Sequence, residues 1–155
     1  MISKILPNTI KYDGSQIAPL WAYSMGIKGE DLIHIIVERF DSPGSMRLAY
    51  YMQRLLIVCI RDVLMDHEIR TKRKGDDLFV RDGKLTVSIA SAGVSSEKIH
   101  CGINITTKGT PDDIKTAALL DIGINDWKAI AKEIAETFLQ ETEDIEGDIV
   151  KTKSL

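Results

Sequence analysis

The longest apolar stretch of the chain lies between Met46 and Asp66, with Leu55-Leu56-Ile57-Val58-Cys59-Ile60 at its centre between Arg54 and Arg61-Asp62. Six consecutive apolar residues leave a helix no polar face, and such a helix is buried on most sides. The segment is therefore expected to be the central core helix, lying across a sheet. Two upstream segments show helical spacing. Ser15 to Met25 carries Ile17, Leu20, Trp21 and Met25 behind a Ser15 cap and ahead of Gly26. Glu30 to Phe40 carries Ile33, Ile36, Val37 and Phe40. Both are expected to be helices. Residues 1–12 read as one or two short strands interrupted by Pro7-Asn8, Asp41-Ser42-Pro43-Gly44 as a turn, and Ile69 to Arg73 as a strand.

The last third also has helical punctuation. Thr110-Pro111-Asp112-Asp113 combines a Thr cap, Pro at the first position and acids in the first turn, predicting a short helix to about Leu120 that stops before Gly123. Asn125 is the expected cap of a second helix, with Trp127, Ile130, Ile134 and Phe138 inside and Lys128, Lys132, Glu133 and Glu136 outside. From Glu141 the sequence is charged and loses its apolar period. Residues 1–146 are expected to form one domain, and residues 147–155 a charged tail that frays.

Between these helical regions the period changes to two. Gly75-Asp76-Asp77-Leu78-Phe79-Val80-Arg81-Asp82-Gly83-Lys84-Leu85, then Ser88-Ile89-Ala90, then His100-Cys101-Gly102-Ile103-Asn104-Ile105 read as three successive strands. Asp82-Gly83 is a hairpin signal, because both central positions of a type I′ turn need φ > 0. Lys84 would be the first residue out of that turn. His100, Gly102 and Asn104 share one face of the third strand. His100 and its neighbour Cys101 point to opposite faces and cannot pair directly.

This stretch resembles the catalytic core of the biotin protein ligase and lipoate-protein ligase superfamily. Asp77-Leu78, Gly83-Lys84, Ser88-Ile89-Ala90 and Gly102-Ile103-Asn104 match, in order, the superfamily's Asp-Leu segment, its Gly-Lys turn, its small-residue strand and its Gly-Ile-Asn strand. Asp76 departs from the pattern, where Asn is common. The resemblance implies an α+β domain, a mostly antiparallel sheet packed by helices in the class II synthetase-like manner. It also implies that Lys84 contacts an acyl carbonyl, that Asp77 orients an amine or the lysine, and that His100 is a candidate general acid or base. Gly83, Ser88, Gly102 and Asn104 would then line the acyl or cofactor ligand, with Lys84, Asp77 and His100 in one concavity. Tyr12-Asp13-Gly14-Ser15-Gln16 and Leu20-Trp21-Ala22 resemble, more closely, an uncharacterised and mainly archaeal family of domains of unknown function with this fold; that resemblance covers most of the chain, with a gap near residues 28–31.

The glycine-rich, arginine-bearing loops with which biotin and lipoate ligases wrap the acyl group and the adenylate phosphate have no counterpart run here, since Gly14, Gly26, Gly29 and Gly44 are scattered. The expected ligand is a small acyl compound or acyl-adenylate, with ATP and Mg²⁺ required only if adenylation happens on this domain. An acyl- or cofactor-handling transferase, in which a ligase and a transferase from a pre-activated donor are equally open, and a non-catalytic binding or assembly module that kept the fold are the two functional readings, and a homodimer is an expected assembly.

Composition narrows this further. The chain has 155 residues, 44% hydrophobic and 28% charged, with a net charge of −3. Those are ordinary globular values for one core. The charge offers no overall footprint for nucleic acid, although Arg70-Thr71-Lys72-Arg73-Lys74 could contact phosphate or an RNA backbone. Its simpler role is a solvated strand edge. No segment is long enough to span a bilayer and the N-terminus lacks the order of a signal peptide, so a cytoplasmic location is expected. Cys59 and Cys101 are too few for a disulfide scaffold, and Cys101 reads as a small core residue. His34, His67 and His100 do not fall at ligand spacing, so no structural metal is expected. Trp21 and Trp127 read as packing residues.

Overall fold

The computed structural model describes residues 10–13, 23–29, 32–108 and 113–153. Its main element is an antiparallel sheet of five strands. These are β1 (Ile10–Asp13), β2 (Tyr23–Gly29), β3 (Leu32–Arg39), β7 (Thr86–Ala92) and β8 (Glu97–Asn104), in the order β1-β2-β3-β8-β7. A smaller sheet holds β4 (Lys72–Lys74), β5 (Asp77–Val80) and β6 (Gly83–Lys84). Two helices complete the fold, α1 (Met46–Asp66) and α2 (Trp127–Lys153).

The large sheet presents one face to the helices. Ile33, Ile35 and Val37 of β3 and Ile99, Cys101 and Ile103 of β8 are fully buried there against Leu56, Ile57, Ile60 and Leu64 of α1. Ile130, Ile134 and Phe138 of α2 close the same core. The opposite face is open among the described residues, with Ile36 47%, Val87 50% and Ile89 69% exposed.

Helix α1 takes the predicted bounds. Ser45 is its cap, with Oγ accepting from the Leu48 N–H at 3.2 Å. The fully buried Glu97 ties this helix end to β8 by accepting the Ser45 N–H at 2.6 Å. Trp127 packs partly buried against the core as expected, whereas Trp21 lies outside the described residues.

Four expectations about local structure are corrected. Glu30 to Phe40 is not a helix, because residues 32–39 form β3. Ile33, Ile35 and Val37 are the buried set and alternate with period two; the apolar but exposed Ile36 created the helical spacing. Tyr23 to Met25 belong to β2, paired with Arg39 to Val37, so long-range pairing overrides the local pattern; residues 15–22 of that expected helix lie outside the described residues. The helix expected from Thr110 to Leu120 is absent from residue 113 onward. Ala117, Ala118 and Leu119 are buried in a segment that hydrogen-bonds to Lys84 and Asn104, followed by a short 3₁₀ turn at Leu120–Ile122. Residues 109–112, like Pro7-Asn8, are outside the described set. The charged segment from residue 147 begins inside helix α2. Helix α2 continues to Lys153, helped by an ion pair between Lys151 and Asp148 at 3.0 Å on its exposed side. Its N-terminal cap is Asp126, one residue after Asn125, with Oδ1 accepting from the Ala129 N–H at 3.0 Å.

Candidate functional site

The β5–β6 hairpin carries the first candidate residues. Val80 pairs with Gly83, so the two turn residues are Arg81 and Asp82, not Asp82 and Gly83. Arg81 takes the left-handed conformation at φ 54°. Gly83 serves a different purpose. A Cβ there would stand 2.8 Å from both Ala117 N and Thr116 C, so only glycine lets the 115–117 segment approach the hairpin.

That approach fixes Lys84. Its N–H donates to Lys115 O at 2.8 Å, and its carbonyl accepts from the Ala117 N–H at 3.0 Å, a parallel bridge across Thr116. Asn104 reinforces it from β8: Nδ2 donates to Lys84 O at 3.2 Å and to Ala117 O at 3.0 Å. The backbone under the lysine is therefore held from two sides, while the side chain reaches out. Lys84 Nζ lies 2.8 Å from Asp77 Oδ1, with side-chain exposures of 34% and 27%.

Asp76 sits beside this ion pair in a second cluster built from α1. Its Oδ2 accepts from Ser88 Oγ at 3.1 Å and from Gln53 Nε2 at 3.3 Å, and Gln53 Nε2 also donates to Ser88 Oγ at 2.8 Å. The Arg54 guanidinium lies 3.7 Å from Asp76 Oδ1. Gln53 is 2% exposed and escaped the sequence reading. The available signal was a polar residue at a stripe position of α1, aligned with Ala49, Met52, Leu56 and Ile57. Cys101 shares the helix side of the sheet with Ser88, its register partner. Burial, and then the charges of Asp76 and Asp77, push its thiol up to about 12. Cys101 is therefore a neutral packing residue and no thiolate nucleophile.

His100 is on the other side of the sheet. Strand β8 buries Ile99, Cys101 and Ile103 and exposes His100, whose Nε2 lies 2.9 Å from His34 Nδ1 on β3. Gly102 faces the same way. A Cβ on it would meet Val87 Cγ1 at 3.2 Å, so this glycine accommodates a packed neighbour. The structure thus joins Lys84 to Asp77, Asn104 to the Lys84 backbone, and Ser88 to Asp76, and it joins His100 to His34. A groove of about 320 Å³ runs along Arg81, Asp82, Gly83, Lys115 and Asp121; its lining includes Gly83 but not Lys84, Asp77 or His100. Among the described residues no helix is long and apolar enough to cross a membrane.

Residues 24–153 match the family model described as DUF366, a domain of unknown function. The chain belongs to that family. It is 42% identical over 129 residues to the uncharacterized protein MJ0805 of Methanocaldococcus jannaschii, covering 83% of this chain and 58% of that protein. A solved protein of unknown function from Pyrococcus horikoshii is 34% identical, with a TM-score of 0.73 over 81% of this chain and 66% of that one. The chain thus spans roughly three-fifths to two-thirds of these relatives. Biotin protein ligase from Aquifex aeolicus superimposes with a TM-score of 0.56 at 17% identity, over 72% of this chain and 55% of the ligase. Lipoate-protein ligases superimpose similarly. The DUF366 chain has the α+β, mostly antiparallel fold of the biotin and lipoate ligases, as the residue pattern implied.

Proposed function

We propose that this DUF366 domain transfers an acyl group or acyl-type cofactor from a pre-activated donor, with Lys84 at the acyl carbonyl. The observation that carries this reading is the Lys84–Asp77 pair. It is a partly exposed ammonium 2.8 Å from a carboxylate, on a hairpin whose backbone is locked by Asn104 and the 115–117 segment. In the transfer an acceptor amine attacks the acyl carbon, and negative charge grows on the carbonyl oxygen. The donor then leaves with the electron pair of its broken bond, and the proton that the amine gives up passes to the departing group or to solvent. A fixed ammonium stabilises the growing charge without reorganising. Asp77 orients the ammonium or the incoming amine.

The cluster does not fit ATP with Mg²⁺. Its carboxylates, Asp76 and Asp77, are already paired with Arg54 and Lys84, leaving no uncommitted acid there to hold the ion that bridges a triphosphate. This favours a donor activated elsewhere. His100, bonded to His34, has no part in the proposed step. The second reading is a binding or assembly module without chemistry. It is supported by the structural work of Gly83, Gly102 and Asn104, each accounted for by packing or backbone hydrogen bonds.

Calorimetric titration of the wild type and Lys84→Ala with biotinyl-, lipoyl- and octanoyl-adenylate analogues separates the two. One charge-assisted hydrogen bond is worth ~1.5–3 kcal/mol. Because Lys84 is about one-third exposed, the low end applies, a loss of roughly tenfold in affinity. Absence of binding to the wild type moves the assignment to the module, and equal binding by both proteins removes Lys84 from the site.

A further inference from the structure

We propose that His34 and His100 form a two-histidine chelate for a divalent transition-metal ion on the open face of the large sheet. The two residues are 66 apart in sequence, so no local ligand motif announces them. Strands β3 and β8 bring them together. The register pairs Ile36 with His100 and His34 with Gly102, which places the histidines one diagonal step apart on the same face. Glycine at the position directly across from His34 leaves no side chain there to separate the rings.

The rings meet through their nitrogens. His34 Nδ1 and His100 Nε2 are 2.9 Å apart, while the ring centroids are 5.1 Å apart and the planes tilted by 44°. The contact is therefore edge to edge, with each ring nitrogen aimed at the other as in a hydrogen bond, and not a stack; turning both rings brings the two nitrogens to bear on one point beside that line. In the metal-free protein one ring N–H donates to the other's bare nitrogen. An ion would displace that proton and sit to one side of the line between the nitrogens, once both rings turn towards it. With metal–nitrogen bonds of about 2.0–2.1 Å, a separation of 2.9 Å corresponds to an angle of about 90° at the metal. Those are cis positions of a square-planar or octahedral ion, the geometry of Cu²⁺ and Ni²⁺ with nitrogen donors. Tetrahedral Zn²⁺ needs the nitrogens about 3.3 Å apart, within reach of small rotations of two side chains that are not buried.

Glu38, two residues beyond Ile36 on the same face, is engaged with Ser96 Oγ at 2.9 Å and Lys98 Nζ at 3.4 Å. No cluster of three or more His, Cys, Asp or Glu suited to a metal occurs among the described residues. Among the described residues the chelate therefore holds its ion through two protein ligands. His100 is exposed, so water or the carboxylate or phosphate oxygens of a ligand can reach the remaining positions. Such an open site suits Lewis-acid binding of an anion and differs from a closed structural site. It stands independently of the role assigned to Lys84.

The test is titration of chelator-treated protein with Cu²⁺, Ni²⁺ and Zn²⁺ in a non-coordinating buffer, with native mass spectrometry for stoichiometry and the Cu²⁺ electron paramagnetic resonance spectrum for nitrogen ligation. The expected result is one ion per chain, two nitrogens in its coordination, and affinity reduced about tenfold or more in both His34→Ala and His100→Ala. His67→Ala, which alters only the pair with Glu133 between the helices, leaves it unchanged. His34→Gln and His100→Gln replace any alanine variant that fails to fold. Equal affinity and stoichiometry in the wild type and the double variant, or loss of binding in His67→Ala, overturns the proposal.

Discussion

Asn104→Ala tests whether this side chain holds the hairpin or was positioned to meet a ligand. Its Nδ2 donates to Lys84 O at 3.2 Å and Ala117 O at 3.0 Å. A neutral hydrogen bond contributes ~0.5–1.5 kcal/mol net. Lys84 O keeps a second partner, the Ala117 N–H at 3.0 Å, so its loss is cushioned. The two bonds also come from one nitrogen and are not independent. The expected cost is therefore about 1–2 kcal/mol, near the lower half of the simple sum. For a domain of this size that lowers Tm by roughly 2–8 °C. Urea and thermal denaturation measure it. Native-state hydrogen exchange localises it, because the Lys84 and Ala117 amides, bonded to Lys115 O and Lys84 O, should lose protection while those in the middle of α1 keep theirs. Wild-type stability together with unchanged exchange at both amides refutes the argument and returns Asn104 to the role of a ligand contact.

The remaining predictions concern the core. Leu56→Ala and Ile57→Ala should each cost ~2–5 kcal/mol by denaturation, since both side chains are 0% exposed on the sheet side of α1, and a cost below about 1 kcal/mol at both sites would make the helix peripheral. Burial, reinforced at Cys59 by Glu141 and Asp62 and at Cys101 by Asp76 and Asp77, pushes both thiols from 9.0 up to about 12. A raised acid pKa means that the folded state retains a proton which the unfolded state releases, so this contribution to stability is full below pH 9 and is lost as pH rises from 9 towards 12. Cys101→Ala should flatten the fall in urea-denaturation stability above pH 9, and an unchanged slope would show that the thiol ionises in the folded state.

What could be read from the residues follows from how local each signal was. Helix α1 carries its own cap in Ser45 and an apolar run with no strand-like alternation, so its bounds were visible without tertiary information. The stripe of α2 was visible for the same reason, although the capping role fell to Asp126. Strand β3 was not. Its exposed face carries Ile36, and an apolar residue on both faces of a strand imitates helical spacing; only pairing with β2 and β8 decides the outcome. The Arg81-Asp82 turn was missed by one residue. Gly83 signalled left-handed backbone, but glycine was needed there to clear Thr116 and Ala117, and Arg81 took the positive φ. The 113–119 segment departs from the expected helix because its course is imposed by Lys84 and Asn104, both distant in sequence. The partners of Gln53 and the His34–His100 contact are invisible for the same reason: a cross-strand or helix-to-sheet partner leaves no spacing rule behind.

The resemblance to the ligases can now be divided by physical role. Gly83 admits the 115–117 segment, Asn104 ties that segment to the hairpin, and Gly102 makes room for Val87. Any chain that builds this corner of the fold meets these constraints, whatever chemistry it performs, so these matches argue for architecture. The side chains of Lys84 and Asp77 are different. Their backbone positions are set by others, and a partly exposed ion pair of this kind is worth only ~0–1 kcal/mol of stability. The fold therefore does not depend on Nζ or on the Asp77 carboxylate. Function is to be sought where structure makes the least demand, and within the ligase-like stretch that criterion selects the Lys84 ammonium as the group whose removal should change binding and little else.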